Sequence, residues 1–301
     1  MMLLTGATGL VGSALLRRLV VGEDAVRCLV RDPRGLGDQR VRVQIALGDL
    51  ADPASFRNAL RGVHTVVHLA SSIRDQSSGS IEELNGIATW RMVQSAQRAG
   101  VQRFVFFSVL DASTNHRTRF FRAKALAEKA VREASLSTIV FAPSIVYAPG
   151  DRWLTLLEHL ALAPAVLVPG NGRALYQPIW AEDVADCVMA ALSESQRDDS
   201  HIRYELAGPD VISHDEIIRM VVGAMGRRRP LVHVPTPILS RVLRGLEATV
   251  GSRAFATWDE AELMEVSMIS QRGTSDARAL GVTPQPMRAV LGLAPAAAAM
   301  A

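Results

Sequence analysis

Three groups of residues in this 301-residue chain have the types and spacing to do chemistry. The first is Thr5-Gly6-Ala7-Thr8-Gly9-Leu10-Val11-Gly12, which follows the apolar run Met1–Leu4 and opens the amphipathic stretch Leu10–Val21. A glycine-spaced turn between strand and helix lets backbone amides close on a diphosphate, whose charge then rests on the positive end of the helix. Gly6 frees the turn, Gly9 permits the close approach and Gly12 lets the helix pack against the strand. The second group is Val30-Arg31-Asp32-Pro33-Arg34, at the close of the second apolar run. A carboxylate at that point suits the ribose of NAD, and an arginine suits the 2′-phosphate of NADP, which a guanidinium grips with two parallel bonds. Arg31 holds the position and Arg34 adds charge, so NADP(H) is predicted, with NAD(H) kept as the lesser option by Asp32. The third is Lys124. Among 33 basic residues only Lys124 and Lys129 are lysines, so an ammonium at Lys124 is a deliberate choice against arginine. A compact ammonium can hold a pair of hydroxyls where a planar guanidinium would not. Lys129, one turn on, reads as a surface residue.

To position these groups the chain must alternate strands and helices. Met1–Leu4, Val26–Val30, Val41–Ala46, Thr65–Leu69, Phe104–Phe107 and Ser137–Phe141 are short apolar runs that predict buried strands. Leu10–Val21, Pro53–Leu60, Ile81–Arg98 and Arg119–Ala134 lie between them and predict helices. That rhythm implies an α/β fold with a doubly wound parallel (Rossmann) sheet, and residues 1–150 are assigned as the dinucleotide-binding domain. Turn signals multiply after Pro143. Helices are predicted at Glu182–Ser193, Ser213–Gly223, Leu239–Val250 and Asp259–Met264, with a capping box formed by Ser213 and Glu216. Residues 151–301 are assigned as a smaller, mostly helical substrate-binding cap with returning sheet elements, ending in a disordered tail over Ala294–Ala301. Leu154, Leu156, Leu157, Leu160, Met264 and Met268 suit an apolar pocket, though core is the prediction for most of them.

Composition narrows the class. Hydrophobic residues make up 49% of the chain, which excludes a disordered or collagen-like one. The net charge of +3 is too small for a nucleic-acid footprint, and Arg227-Arg228-Arg229, followed by Pro230, reads as a solvated loop. Cys28 and Cys187 cannot build a disulfide framework. HExxH, CxxC and GxSxG strings are absent, so neither a metal site nor a hydrolase elbow is expected. Membrane spans are not expected, since Leu154 to Val168 is broken by Glu158, His159 and Pro164. The motif at Thr5 leaves no room for a leader. The expectation is a cytoplasmic protein with a small-molecule substrate, no nucleic acid or membrane partner, and a monomeric or homodimeric state.

The Gly-x-x-Gly-x-x-Gly spacing resembles the short-chain dehydrogenase/reductase superfamily in its extended and atypical branches, the epimerase/dehydratase-like and NmrA-like proteins. Further segments match in order: Gly48-Asp49-Leu50, Val67-His68-Leu69-Ala70-Ser71, Leu84-Asn85-Gly86, Phe106-Phe107-Ser108, Ala142-Pro143-Ser144-Ile145-Val146-Tyr147 and Pro178-Ile179-Trp180-Ala181-Glu182-Asp183-Val184-Ala185. The resemblance covers roughly residues 3 to 225 and implies NAD(P) binding. It places Asp49 and Leu50 at the adenine, Leu69, Ala70 and Ser71 along the cofactor, Lys124 at the nicotinamide ribose, and Pro143 and Ile145 at the nicotinamide. It also implies a tyrosine four residues before the lysine as proton donor, since positions i and i+4 share a helix face. Here Phe120 stands in that place. Lys124 and Ser108 are therefore the candidate catalytic residues, with His116 and Tyr147 as weaker alternatives. Three outcomes stay open: an NADP(H)-dependent reductase of a small apolar or aromatic molecule that works without the usual phenol, a non-catalytic NADP(H) sensor or assembly protein, and a redox-neutral isomerase or cyclase.

Overall fold

The computed structural model describes residues 1–193, 201–239, 241, 245 and 257–293. Its strands are β1 (Met2–Thr5), β2 (Val26–Val30), β3 (Gln44–Leu47), β4 (Thr65–His68), β5 (Arg103–Phe107), β6 (Ser137–Pro143), β7 (Val146–Tyr147), β8 (Val166–Pro169), β9 (Leu175–Tyr176), β10 (Ile179–Trp180), β11 (His201–Leu206), β12 (Ile212–Ser213) and β13 (Leu231–Val234). Seven of them form one parallel sheet in the order β11-β6-β5-β4-β1-β2-β3. The order reverses between β1 and β4, which opens a crevice at their carboxyl ends.

The strands are apolar throughout because both faces are covered. Successive side chains point to opposite faces. Leu4, Cys28, Val67, Val105 and Ile139 pack into one core with helices α1 (Leu10–Leu19) and α6 (Ala181–Ser193), whereas Leu3, Leu29, Val66, Phe104 and Val140 pack into the other with α3 (Ala88–Arg98) and α4 (Arg119–Arg132). Cys28 and Cys187 are free thiols in the first core, each pushed up to about 12 by burial.

Three expected elements are displaced or reshaped. Val41 is exposed, and the chain from Pro33 to Val41 coils into tight 3-10 turns, so the third strand starts three residues later than predicted. Asp32 starts those turns by accepting a hydrogen bond from the Arg34 amide at 2.9 Å. The helix expected over Pro53–Leu60 is the short α2 (Pro53–Phe56) followed by 3-10 geometry over Arg57–Leu60. The helix expected from Ile81 widens into a π turn over Glu83–Ile87 before α3 begins. Asn85 causes this, since its Nδ2 donates to the carbonyl of Ile81 at 2.8 Å and so intrudes on the i−4 ladder.

Beyond residue 150 a third core gathers Leu154 and Leu157 of α5 (Arg152–Leu160), Tyr147, Tyr176, and Ile217, Ile218 and Val221 of α7 (His214–Ala224). Short ladders β7–β10, β8–β13 and β9–β12 frame it. Ser213 caps α7 in the predicted box with Glu216. Most of the predicted helix Leu239–Val250, and the tail Ala294–Ala301, lie outside the described residues. The helix Trp258–Leu263 is bound to the first half by ion pairs. Arg74 pairs with Glu260, and Arg119 lies 3.7 Å from Asp259 while also holding Asp75 and Glu82.

Candidate functional site

The glycine turn packs so closely on neighbouring backbone that two of its glycines admit no side chain. Gly6 has φ +71°, and a Cβ on it would stand 2.6 Å from the Ala70 amide nitrogen. A Cβ on Gly12 would stand 2.0 Å from the Gly6 carbonyl oxygen. Gly9 precedes α1 with no side-chain cap, which leaves the first-turn amides directed at the crevice. A cleft of about 440 Å³ opens there. Of the predicted cofactor residues, Gly6, Ala7, Thr8, Gly9, Arg31, Asp49, Leu50, Leu69, Ala70 and Ser71 line it. Leu10 and Val11 do not; they form the first turn of α1. Lys124, Pro143 and Ile145 also stand outside its lining, beside the ends of β5 and β6.

Arg31 reaches from the end of β2 across the cleft mouth, its Nη1 donating to Gln76 Oε1 at 3.1 Å. Asp32 is turned to the Arg34 amide instead. Asp49 accepts from the Ala51 amide at 2.9 Å, and its own amide is held by Ser55. Asn85 fixes the segment after β4. It accepts from the Ser71 hydroxyl at 2.7 Å and the Ser72 amide at 3.1 Å, and donates to the Ser72 carbonyl at 2.7 Å. Asn85→Ala is therefore expected to destabilise the fold by about 2–4 kcal/mol, through several buried polar groups left unsatisfied. A urea titration checks this: the midpoint should fall with an unchanged slope, and an unmoved midpoint would sink it.

At the end of β5, outside the lining of the cleft, Lys124 is buried and its Nζ donates to the Phe107 carbonyl at 2.7 Å. Burial pushes its pKa down to about 7. Its Nζ lies 5.0 Å from the ring centre of Phe106 and 5.8 Å from that of Phe120. Phe120 joins an apolar cluster with Val109, Phe121, Leu263, Met264, Val266 and Met268. Among the described residues, none of the other candidates hydrogen-bonds the Lys124 ammonium. Ser108 donates to Glu128 Oε2 at 2.5 Å, and Glu128 in turn holds Arg203. His116 stacks on Phe121, and its Nδ1 accepts from the Thr118 amide at 3.1 Å beside the start of α4. Tyr147 is wholly buried in the third core with no hydrogen-bond partner for its hydroxyl, and burial raises its pKa. Lys129 is exposed and lies 3.8 Å from Glu133.

Sequence reasoning gave His68 no role of its own. It is fully buried between Thr5, 2.8 Å from Nδ1, and Thr89, 3.1 Å from Nε2. Burial, with the nearby Lys124 charge, pushes it down to about 3, so it is a neutral strut. Gln76 was likewise missed: His68 lies inside the matched segment Val67–Ser71, whereas no local pattern marks Gln76.

Residues 1–287 match the NmrA-like family. This chain belongs to the NmrA-like family. Its fold is that of NAD(P)-binding oxidoreductases. Among similar proteins, NADH dehydrogenase [ubiquinone] 1 alpha subcomplex subunit 9 of Arabidopsis thaliana is 28% identical over 77% of this NmrA-like chain, which spans 60% of that protein's length. Ceramide reductase of Caulobacter vibrioides is 27% identical, over 78% of this chain and 73% of its own. A solved NADPH-dependent quinone oxidoreductase of Escherichia coli, complexed with NADPH, aligns over 97% of this chain and 99% of its own with a TM-score of 0.75 at 15% identity. Among the described residues, no helix is long and apolar enough to cross a membrane and no cluster of His, Cys, Asp and Glu could hold a metal.

Proposed function

We propose that this NmrA-like protein is an NADP(H)-dependent reductase of a small apolar or aromatic, electron-poor acceptor, acting as a monomer or homodimer without a phenolic acid. The observation that carries the reading is Lys124, a buried amine held at the end of β5 with its pKa drawn down to about 7. Group and cradle are compatible, because the uncapped start of α1 adjoins the cleft that Gly6, Ala7, Thr8 and Gly9 line. The amides of the glycine turn would bind that diphosphate, and Arg31 the 2′-phosphate. When bound, the dinucleotide supplies hydride. Lys124 holds a proton at Nζ that is half lost near neutrality, which suits it to proton transfer at working pH. Phe120, whose ring centre is 5.8 Å from Nζ, belongs to one apolar cluster with Val266, Met264 and Met268, surroundings that would favour a flat apolar partner.

A second reading is favoured by Phe120 itself and by the relationship to a subunit of NADH dehydrogenase: a dinucleotide-binding protein with no turnover. One experiment separates the two. The protein is mixed with NADPH and a panel of quinones, enones and ketones, and loss of NADPH absorbance is followed. Sustained oxidation with any of them is expected. Failure with all, alongside NADPH stabilisation of about 2.7 kcal/mol at a hundredfold excess over Kd, would favour the non-catalytic reading.

A further inference from the structure

We propose that Gln76 is the positioning residue that presents Arg31 to a 2′-phosphate and so sets the preference between the two dinucleotides; this rests on the NADP(H) reading above. Arg31 sits on an exposed rim, where a long, freely rotating side chain would lose much conformational entropy on gripping a phosphate. Here it is already oriented. Its Nη1 donates to Gln76 Oε1 at 3.1 Å and to the Ser78 hydroxyl at 3.4 Å, so the arm spans from the end of β2 to the loop after β4. Both Arg31 and Gln76 line the cleft.

Gln76 is itself held at both ends. Its Nε2 donates to the Ser72 hydroxyl at 3.0 Å, and its backbone exchanges hydrogen bonds with Gly79 at 2.9 and 3.1 Å. Ser72 is fixed by Asn85 through its amide, so a continuous set of hydrogen bonds runs from the buried π turn to the exposed guanidinium. A carboxamide suits this task. Its oxygen accepts from the guanidinium without neutralising it, leaving the positive charge for an anion. A glutamate there would cancel that charge, and a leucine would let the arm rotate.

Binding of NADPH and NADH to the full chain, followed by quenching of tryptophan fluorescence, tests the assignment in five proteins: parent, Gln76→Leu, Gln76→Glu, Arg31→Ala and the double variant Arg31→Ala/Gln76→Leu. The parent is expected to favour NADPH. Gln76→Leu should weaken NADPH about tenfold and leave NADH within twofold, and Gln76→Glu should weaken NADPH further. In the double variant Arg31→Ala/Gln76→Leu, NADPH affinity should match that of Arg31→Ala alone, because Gln76 acts through Arg31. A merely structural role would weaken both nucleotides alike in Gln76→Leu, and that result overturns the proposal. A parent preference that vanishes in Arg31→Ala but survives in both Gln76 variants overturns it while leaving the NADP(H) reading intact. A parent without preference overturns both.

Discussion

Gly12→Ala is expected to abolish dinucleotide binding while leaving a folded protein. The added Cβ would meet three backbone atoms: the Gly6 oxygen at 2.0 Å, the Gly6 carbonyl carbon at 2.8 Å and the Ala7 Cα at 2.9 Å. None of these is a flexible side-chain end, so α1 and the turn must move apart by more than an ångström. Strain of that kind costs roughly 1–3 kcal/mol of stability. The larger effect falls on the ligand, because displacing preorganised groups by about 1 Å costs on the order of a hundredfold. Fluorescence titration reads the loss of affinity and a denaturant midpoint reads the strain. Gly223→Ala is the control: no atom lies within 4 Å of its Cβ, and in the helix α7 it should be neutral or stabilising. Parental affinity in Gly12→Ala would remove the diphosphate cradle from the account.

Lys124→Met is expected to lower turnover by about a hundredfold or more while stabilising the fold at acid pH, two effects of opposite direction from one atom. The folded pKa of about 7 lies below the ordinary 10.5, because burial penalises the charged form. Between those values the unfolded chain binds more protons than the folded one. Stability therefore rises as pH climbs from about 7 towards 10.5, by at most about 1.4 kcal/mol per pH unit, and the full penalty is present below 7. Methionine removes the charge and nearly keeps the volume, so that slope should flatten. In the parent, kcat/KM should fall as pH rises through about 7, where Nζ loses its proton. Lys124→Arg should rescue neither property, since a guanidinium does not deprotonate and is planar. Parental turnover in Lys124→Met would sink the proton-holding role, and an unchanged stability slope would sink the burial argument.

Much of the sheet was legible because burial on two faces writes itself as continuous apolar runs: β1, β2, β4, β5 and β6 fall within a residue or two of their predicted bounds. The glycine turn was legible because its spacing is a steric requirement. What escaped depended on partners distant in sequence. Val41 is β-branched and reads as strand, but the Asp32 cap sets the chain coiling up to it and nothing covers its side chain. The π turn needs Asn85 to bridge Ile81 and Ser72, and a helical pattern over Ile81–Arg98 does not reveal that. Ser108 resembles a strand-end active-site hydroxyl by position, yet Glu128, twenty residues on, accepts its hydrogen bond. Gln76 looks like any polar loop residue until Arg31, 45 positions earlier, is seen to lie against it.

The ion pairs that join the loop after β4 and the start of α4 to the helix Trp258–Leu263 are largely shielded, with side-chain exposures of 10% for Arg74, 18% for Glu260, 24% for Arg119 and 11% for Asp259. Shielded charges feel little of the surrounding electrolyte, and losing one member is far costlier than losing the pair. These four residues must accordingly drift together. A chimera that grafts the last third of a sister protein onto this scaffold would inherit a mismatched clamp unless positions 74 and 119 travelled with it.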